Sequence, residues 1–223
     1  MSIVVETKDC TALSDAELAE MTELCTEGPL AYTADVLDRH VESWVLITQV
    51  RDNDKLKGFA FCTLERIGGT PCVIVGLASV RRTSKRDTVL RAIVQDQLRR
   101  AVLAFPDEDV LVSGRFGEAG GFDMFRSLED IVPRPGHKPT GEERAWGSRL
   151  ARRYGIEASA YDQRAFRVNG DGSGPAEVVD HSTSHPEQIH EEVAAHFDGL
   201  HPEKGDCLIA FAWAMEEDLR KLA

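Results

Sequence analysis

Little in this sequence allows covalent cross-linking or membrane passage. Its 223 residues hold only five cysteines, Cys10, Cys25, Cys62, Cys72 and Cys207, an odd number with no C-x-x-C pair. That excludes a disulfide framework and a cysteine zinc site. No apolar run approaches the ~20 residues needed to span a bilayer, and the opening MSIVVETKDC lacks a basic stretch followed by an apolar one. With neither a leader nor a spanning segment in view, the cytoplasm is the expected compartment. G-x-S-x-G, G-K-[ST], G-x-G-x-x-G and H-E-x-x-H are all missing, so the usual hydrolase, P-loop, dinucleotide and zinc-protease signatures do not apply. Positive charge is scarce as well: 26 Lys and Arg stand against 38 Asp and Glu, a net charge of −12. Such a chain repels phosphate backbones and anionic lipid, which argues against nucleic acid or membrane as partner and mildly favours an amine.

What remains is the composition of a globular protein, 42 % apolar and 29 % charged, with enough residues to build one sizeable core. Ile3–Glu6 reads as a short strand. Ser14 and Glu17 form a capping box opening a helix whose Leu18, Met21, Leu24 and Cys25 share one stripe, and Gly28-Pro29 ends it. A second helix is expected over 34–41 with Thr33 as its cap. Three strands follow, over 43–51, 56–66 and 71–80, separated by the turn signals Asp52-Asn53-Asp54 and Gly68-Gly69. The third is almost wholly apolar and should lie centrally, covered on both faces. A basic turn, Arg81 to Arg86, leads into a long amphipathic helix over 87–105, then a buried strand over 109–113. Residues 116–128 are Gly-interrupted and then helical, with Phe122 and Phe125 seeking cover. Beyond a Pro-rich link, Thr140 and Glu143 form a second capping box; further on come a strand over 165–168, a Gly-rich loop, a helix over 186–197 and an apolar strand at Cys207 to Ala214.

The histidines gather late, at His181, His185, His190, His196 and His201. The first two lie in a Ser/Thr-rich loop, and His190 and His196 are six apart, on opposite faces of a helix. They read as polar surface, and no metal site is expected. Cys62 and Cys72, in apolar strands, read as buried free thiols.

The run V-R-R-T-S-K-R-D-T-V-L-R-A, Val80 to Ala92, resembles the phosphate loop of the GNAT (GCN5-related N-acetyltransferase) superfamily, and V-L-R-A at Val89 to Ala92 is similar to the Eis-like branch. The order helix, helix, three antiparallel strands, long helix, strand, helix resembles the same superfamily over residues 3–130. The resemblance implies an α/β (α+β) fold with a mixed, mostly antiparallel central sheet flanked by helices. It places a GNAT-like core at 1–130 and leaves 131–223 as an extension completing or extending that sheet, with Trp146, Phe211 and Trp213 at the junction. It implies an N-acyltransferase using acetyl-CoA or another acyl-CoA on a small amine. Pyrophosphate would lie at the helix start, where free amides and partial positive charge favour anions. The cofactor-binding residues would be Ser79, Val80, Lys85, Arg86, Asp87, Thr88, Val89 and Leu90. The pantetheine arm would bond the edge of the fourth strand at Leu77 to Val80, in a splay against the next strand near Val112 to Arg115. Glu65 would be the base and Tyr32 would line the acceptor site.

The chain departs from that pattern in two places. Thr88 and Leu90 stand where the superfamily has small residues, and Phe122 and Phe125 stand where it often has a proton-donating Tyr. An inactive GNAT-fold binding or acyl-thioester-sensing protein is therefore the alternative reading. A homodimer through the strand Leu208 to Ala214 is also left open.

Overall fold

A computed structural model describes residues 3–222. β1 (Ile3–Asp9) is followed by α1 (Asp15–Cys25), α2 (Ala34–Ser43), β2 (Leu46–Asp52), β3 (Lys55–Ile67), β4 (Thr70–Val80), α3 (Arg86–Ala104) and β5 (Val110–Phe116). A 3-10 segment (Ala119–Phe125) leads to β6 (Glu129–Val132) and α4 (Gly141–Arg153). Short pieces β7 (Tyr161–Asp162), β8 (Arg167–Val168), β9 (Val179–Asp180) and α5 (Glu191–Ala195) precede the long strand β10 (Cys207–Ala214) and α6 (Glu216–Leu219).

All strands join one sheet, in the order β1-β2-β3-β4-β5-β10-β8-β7, with β6 pairing β10 and β9 pairing β4. The pairs are antiparallel except β4 with β5 and β4 with β9. This is the expected mixed, mostly antiparallel sheet with flanking helices. The two early turns form as the sequence indicates: Asn53 and Asp54 have φ of 52° and 60°, and Gly68 and Gly69 have 60° and 91°. Two consecutive left-handed residues suit a tight hairpin, whose twist then matches that of its strands. Both capping boxes form, Ser14 with Glu17 and Thr140 with Glu143. Thr33 sits at the N-cap of α2 but makes no capping bond.

α3 covers one face of the sheet with Leu90, Ile93, Val94 and Leu98 against Val73, Val75, Ala78 and Val80 of β4. α1 and α2 cover the opposite face through Met21, Leu24 and Leu37 on Ile47, Phe59, Phe61 and Leu77. α4 covers the remainder of that face, with Trp146 and Leu150 on Cys72, Ile74 and Leu111. The face assignments along β4 require one extra residue. Ala60 pairs with Ala78 but Cys62 pairs with Val75, so three steps of β4 meet two of β3. This bulge moves the inward parity from 73 and 75 to 78 and 80. Gly76 lies within it, and a Cβ there would be 2.7 Å from the Trp44 ring.

The extension joins the core sheet. β10 pairs β5 on one side and β6 and β8 on the other, so its edges are spent within the chain and the Leu208–Ala214 strand offers none to a second subunit. Trp146 and Trp213 meet edge to face at 6.3 Å between centroids, inside the chain. Two expected helices are shorter. Residues 186–197 break into a 3-10 turn and the five-residue α5, and 119–125 wind as a 3-10 segment. In the second case adjacent glycines, Gly120 and Gly121, lie where a Cβ would be 2.6 Å from Thr183 N and 2.5 Å from the Phe116 ring, so close packing replaces helix propensity. No helix among the described residues is long and apolar enough to cross a membrane.

Candidate functional site

β4 and β5 pair only from Cys72–Ile74 to Leu111–Ser113, although β4 runs on to Val80 and β5 to Phe116. Past that point the strands diverge, which is the splay expected near Val112 to Arg115. β9 lies in the opening. It pairs parallel to β4 at Ala78↔Val179 and Ser79↔Asp180, and the Ala78 amide donates to the Val178 carbonyl at 3.1 Å.

Three side chains, Tyr32, Arg82 and Asp87, fasten this strap. The Tyr32 hydroxyl donates to the Ala176 carbonyl at 2.7 Å and accepts the Val178 amide at 3.3 Å. Arg82 donates to the Asp180 carbonyl at 3.0 Å and to its Oδ1 at 2.6 Å. Asp87, in the first turn of α3, accepts His181 Nε2 at 2.9 Å, the Ser184 amide at 3.2 Å and the Ser184 hydroxyl. Residues 176–184 thus run along the end of β4 to the N-terminus of α3.

Burial disfavours the charge on Asp87, but the Ser184 bonds and then His181 outweigh it and hold the carboxyl below its usual value. His181 is pushed down to about 4, chiefly by its burial and against the pull of Asp87. The pair is therefore a carboxylate and a neutral imidazole near pH 7, with Nε2 as the donor. His181 and Ser184 bond the two oxygens of one carboxylate, with no bond between them, so no serine-to-histidine proton relay exists.

The sequence-derived residues fall into three places. Ser79, Val80, Lys85, Arg86, Asp87, Thr88, Val89 and Leu90 do gather at the end of β4 and the start of α3. Val80, Val89 and Leu90 belong to the core, while Thr88 is exposed. Tyr32 is buried and spends its hydroxyl on the strap. Glu65 pairs with Cys72 at the opposite end of β4, ~20 Å away at the rise of a strand, and is ion-paired with Arg153. The proposed base and the proposed cofactor residues are not brought together.

An acyl-CoA finds a poor fit in this arrangement. Its pantetheine arm would need the β4 edge that bonds Val178. Its diphosphate would need the α3 N-terminus, where Asp87 already supplies the negative charge that the helix dipole favours. The basic turn is engaged too: Arg81 with Glu27, Arg82 with Asp180 and Lys85 with Asp52.

No family model matches the chain, and no curated protein matches it. Among solved structures it is similar to the ribosomal-protein-S18-alanine N-acetyltransferase from Escherichia coli, at 13 % identity over 62 % of this chain and 86 % of that one, TM-score 0.43. It is similar to ElaA from the same organism, at 16 % identity over 60 % and 95 %, TM-score 0.43. A GNAT family acetyltransferase from Brucella melitensis in complex with acetyl-CoA shows 15 % identity over 49 % and 75 %, TM-score 0.36. The strand order, the α3 crossover and the splay of β4 from β5 stand in the chain itself. The architecture is GNAT-like.

Within this GNAT-like frame, sequence reasoning missed the strap and the residue facing it. His181, taken as surface, is fully buried. The available signal was the dipeptide Val178-Val179, two β-branched residues in an otherwise polar loop. Beside β9 lies a cavity of about 270 Å³ lined by Pro29, Leu30, Gly117, Glu118, Val178 and Asp180 among others. The Glu118 carbonyl accepts the Gly121 amide at 3.3 Å, but its carboxyl has no hydrogen bond or ion pair among the described residues. Burial pushes its carboxyl up to about 7, opposed mainly by Arg82. The five thiols are free and buried, and burial raises Cys62 and Cys72 to about 12. Among the described residues no group of three or more His, Cys, Asp or Glu could hold a metal ion.

Proposed function

We propose that this chain is a small-ligand binding protein built on the N-acyltransferase fold, with its thioester slot filled by its own strand. The observation that carries this reading is the Ala78–Val178 hydrogen bond, which puts a backbone segment on the ladder edge that a pantetheine arm would use. Two further features support it. The stretch after β5 offers Phe122 and Phe125, which cannot donate a proton to a departing thiolate. Glu65, the candidate base, and Tyr32, the candidate acceptor-site residue, are committed elsewhere. Five buried free thiols are in keeping with a reducing compartment such as the cytoplasm.

The test is thermal unfolding with coenzyme A and acetyl-CoA. A ligand present at ~100 times its dissociation constant adds ~2.7 kcal/mol. The expected result is no shift with either. A shift accompanied by thiol release over a panel of small amines would overturn the reading. It would instead support the second one, an acyl-CoA-dependent N-acyltransferase acting on an amine. The divergence of β4 and β5 beyond Ile74 and Ser113 favours that second reading, which requires residues 176–184 to leave the slot.

A further inference from the structure

α4 carries a groove on the side opposite the one it packs against the sheet. Gly141, Arg144 and Ala145 line a cavity of about 700 Å³, with Lys138 before the helix and Gln163 and Arg164 across it. Ser148 and Arg152 continue the same stripe and line a second cavity, of about 430 Å³, with Ile156, Glu157 and again Gln163. The shared Gln163 makes the two one continuous groove. On the other side of the helix Trp146 and Leu150 are buried, and at its end the Tyr154 hydroxyl turns inward to the Val75 carbonyl at 3.1 Å. The groove thus lies on the outer surface of the extension and not in the β4–β5 opening.

Its charge is one-sided. Lys138, Arg144, Arg152 and Arg164 line it against a single acid, Glu157. None of the four cations has an ion pair among the described residues, and Arg144 is held in place by the Pro139 carbonyl, to which it donates at 2.6 Å. The neighbouring acids stand outside the lining. Glu143 accepts from His137 and the Thr140 amide, Asp162 accepts the Arg164 amide, and Glu142 is exposed. The whole chain carries −12, so everything outside the groove is more acidic still.

We propose that this groove docks an extended acidic segment of a partner protein, one carboxylate among Lys138, Arg144 and Arg164 and a second, four residues along, on Arg152. Spacing and charge select that class. Arg144 and Arg152 are eight residues apart, about 12 Å along a helix. In an extended chain, side chains four residues apart share one side and stand about 13 Å from each other. A guanidinium fork bonds a carboxylate at two points, which rewards an acid at each end. A long polyanion such as nucleic acid would run off the groove onto acidic surface. An apolar segment would take water from the cations and give nothing back. The inference goes beyond the binding-protein reading and does not depend on it.

The experiment is fluorescence anisotropy of the full chain with three labelled heptapeptides of serine and glycine. One carries glutamates at its second and sixth positions, one carries glutamines there, and one carries two adjacent glutamates. The spaced-glutamate peptide is expected to bind best, with the glutamine peptide about tenfold weaker or worse and the adjacent pair about threefold weaker. Its affinity should fall about tenfold between low salt and about 0.5 M salt. Lys138→Glu with Arg164→Glu, both exposed positions, should abolish binding. Arg152→Gln should remove the advantage of spaced over adjacent glutamates, while Lys55→Glu, at the distant β2–β3 turn, should change nothing. No binding of the spaced peptide, equal binding of the glutamine or adjacent-glutamate peptide, or an equal loss in Lys55→Glu would overturn the assignment. So would inorganic tripolyphosphate binding more tightly than the peptide, which would make the groove a site for free polyanions.

Discussion

The Tyr32 hydroxyl bridges the Ala176 carbonyl and the Val178 amide, joining the segment after α1 to the strap, whose Ala176 lies 144 residues later. It satisfies two backbone groups of the strap just before β9 begins. Tyr32→Phe keeps the ring packing and removes both bonds. Loss of partners at a buried site costs ~1–3 kcal/mol. Urea unfolding should show that drop, and hydrogen exchange should show faster exchange at Val178 and Ala78 than in the distant β1–β2 pair.

Arg82 and Asp180 form a mostly buried pair, with side chains 17 % and 2 % exposed. Removing the cation alone leaves the Asp180 charge without its main partner. Arg82→Met should destabilise by ~3 kcal/mol or more, and adding Asp180→Asn should restore much of that loss. Chemical denaturation of the two single variants and the double would measure the coupling. Additive losses would refute it.

Two of the shifted groups near the strap, His181 and Glu118, act oppositely with pH. His181 has a folded pKa of about 4 against 6.5 unfolded. The unfolded chain therefore binds more protons between those values, and the contribution of neutral His181 is lost as the pH falls from ~6.5 to ~4. Glu118 has about 7 against 4.5, so the folded chain binds more protons and stability from this group is lost as the pH rises from ~4.5 to ~7. Glu118→Gln should stabilise the protein at pH 8 by ~2–3 kcal/mol relative to its effect at pH 5. Denaturation midpoints for wild type and variant across pH 4–9 would check the sign.

All five thiols are buried. An aromatic disulfide reagent at pH 8 should label native protein only slowly, at a rate set by opening of the fold, and should label all five in denaturant. Fast labelling of any one under native conditions would contradict the placement.

Legibility from sequence followed the range of the signal. Ser14 with Glu17, Asn53-Asp54 and Gly68-Gly69 act over three or four residues, and the caps and hairpins they announce all formed. The apolar monotony of 71–80 announced a central strand, since only a strand covered on both faces can bury every residue. β9 was illegible because two residues have no period, and because its reason for being a strand is Ala78, a hundred residues earlier. His181 looked like surface for the same cause: its Ser/Thr-rich neighbours are polar, yet Asp87 supplies its partner from a distant helix. Glu65 stands far from the opening, and sequence order could not tell which end of a thirteen-residue strand meets it.

The seat of β10 between β5 and β8 bears on how the polypeptide acquires its form during translation. Until residues 207–214 leave the ribosome, β5 presents a row of bare amides and carbonyls, and Ser113 lacks the Ala210 carbonyl it bonds at 3.1 Å. Until then the nascent chain carries an open, sticky edge awaiting its seal. A stop codon before 207 would release an aggregation-prone fragment in place of a trimmed but working protein.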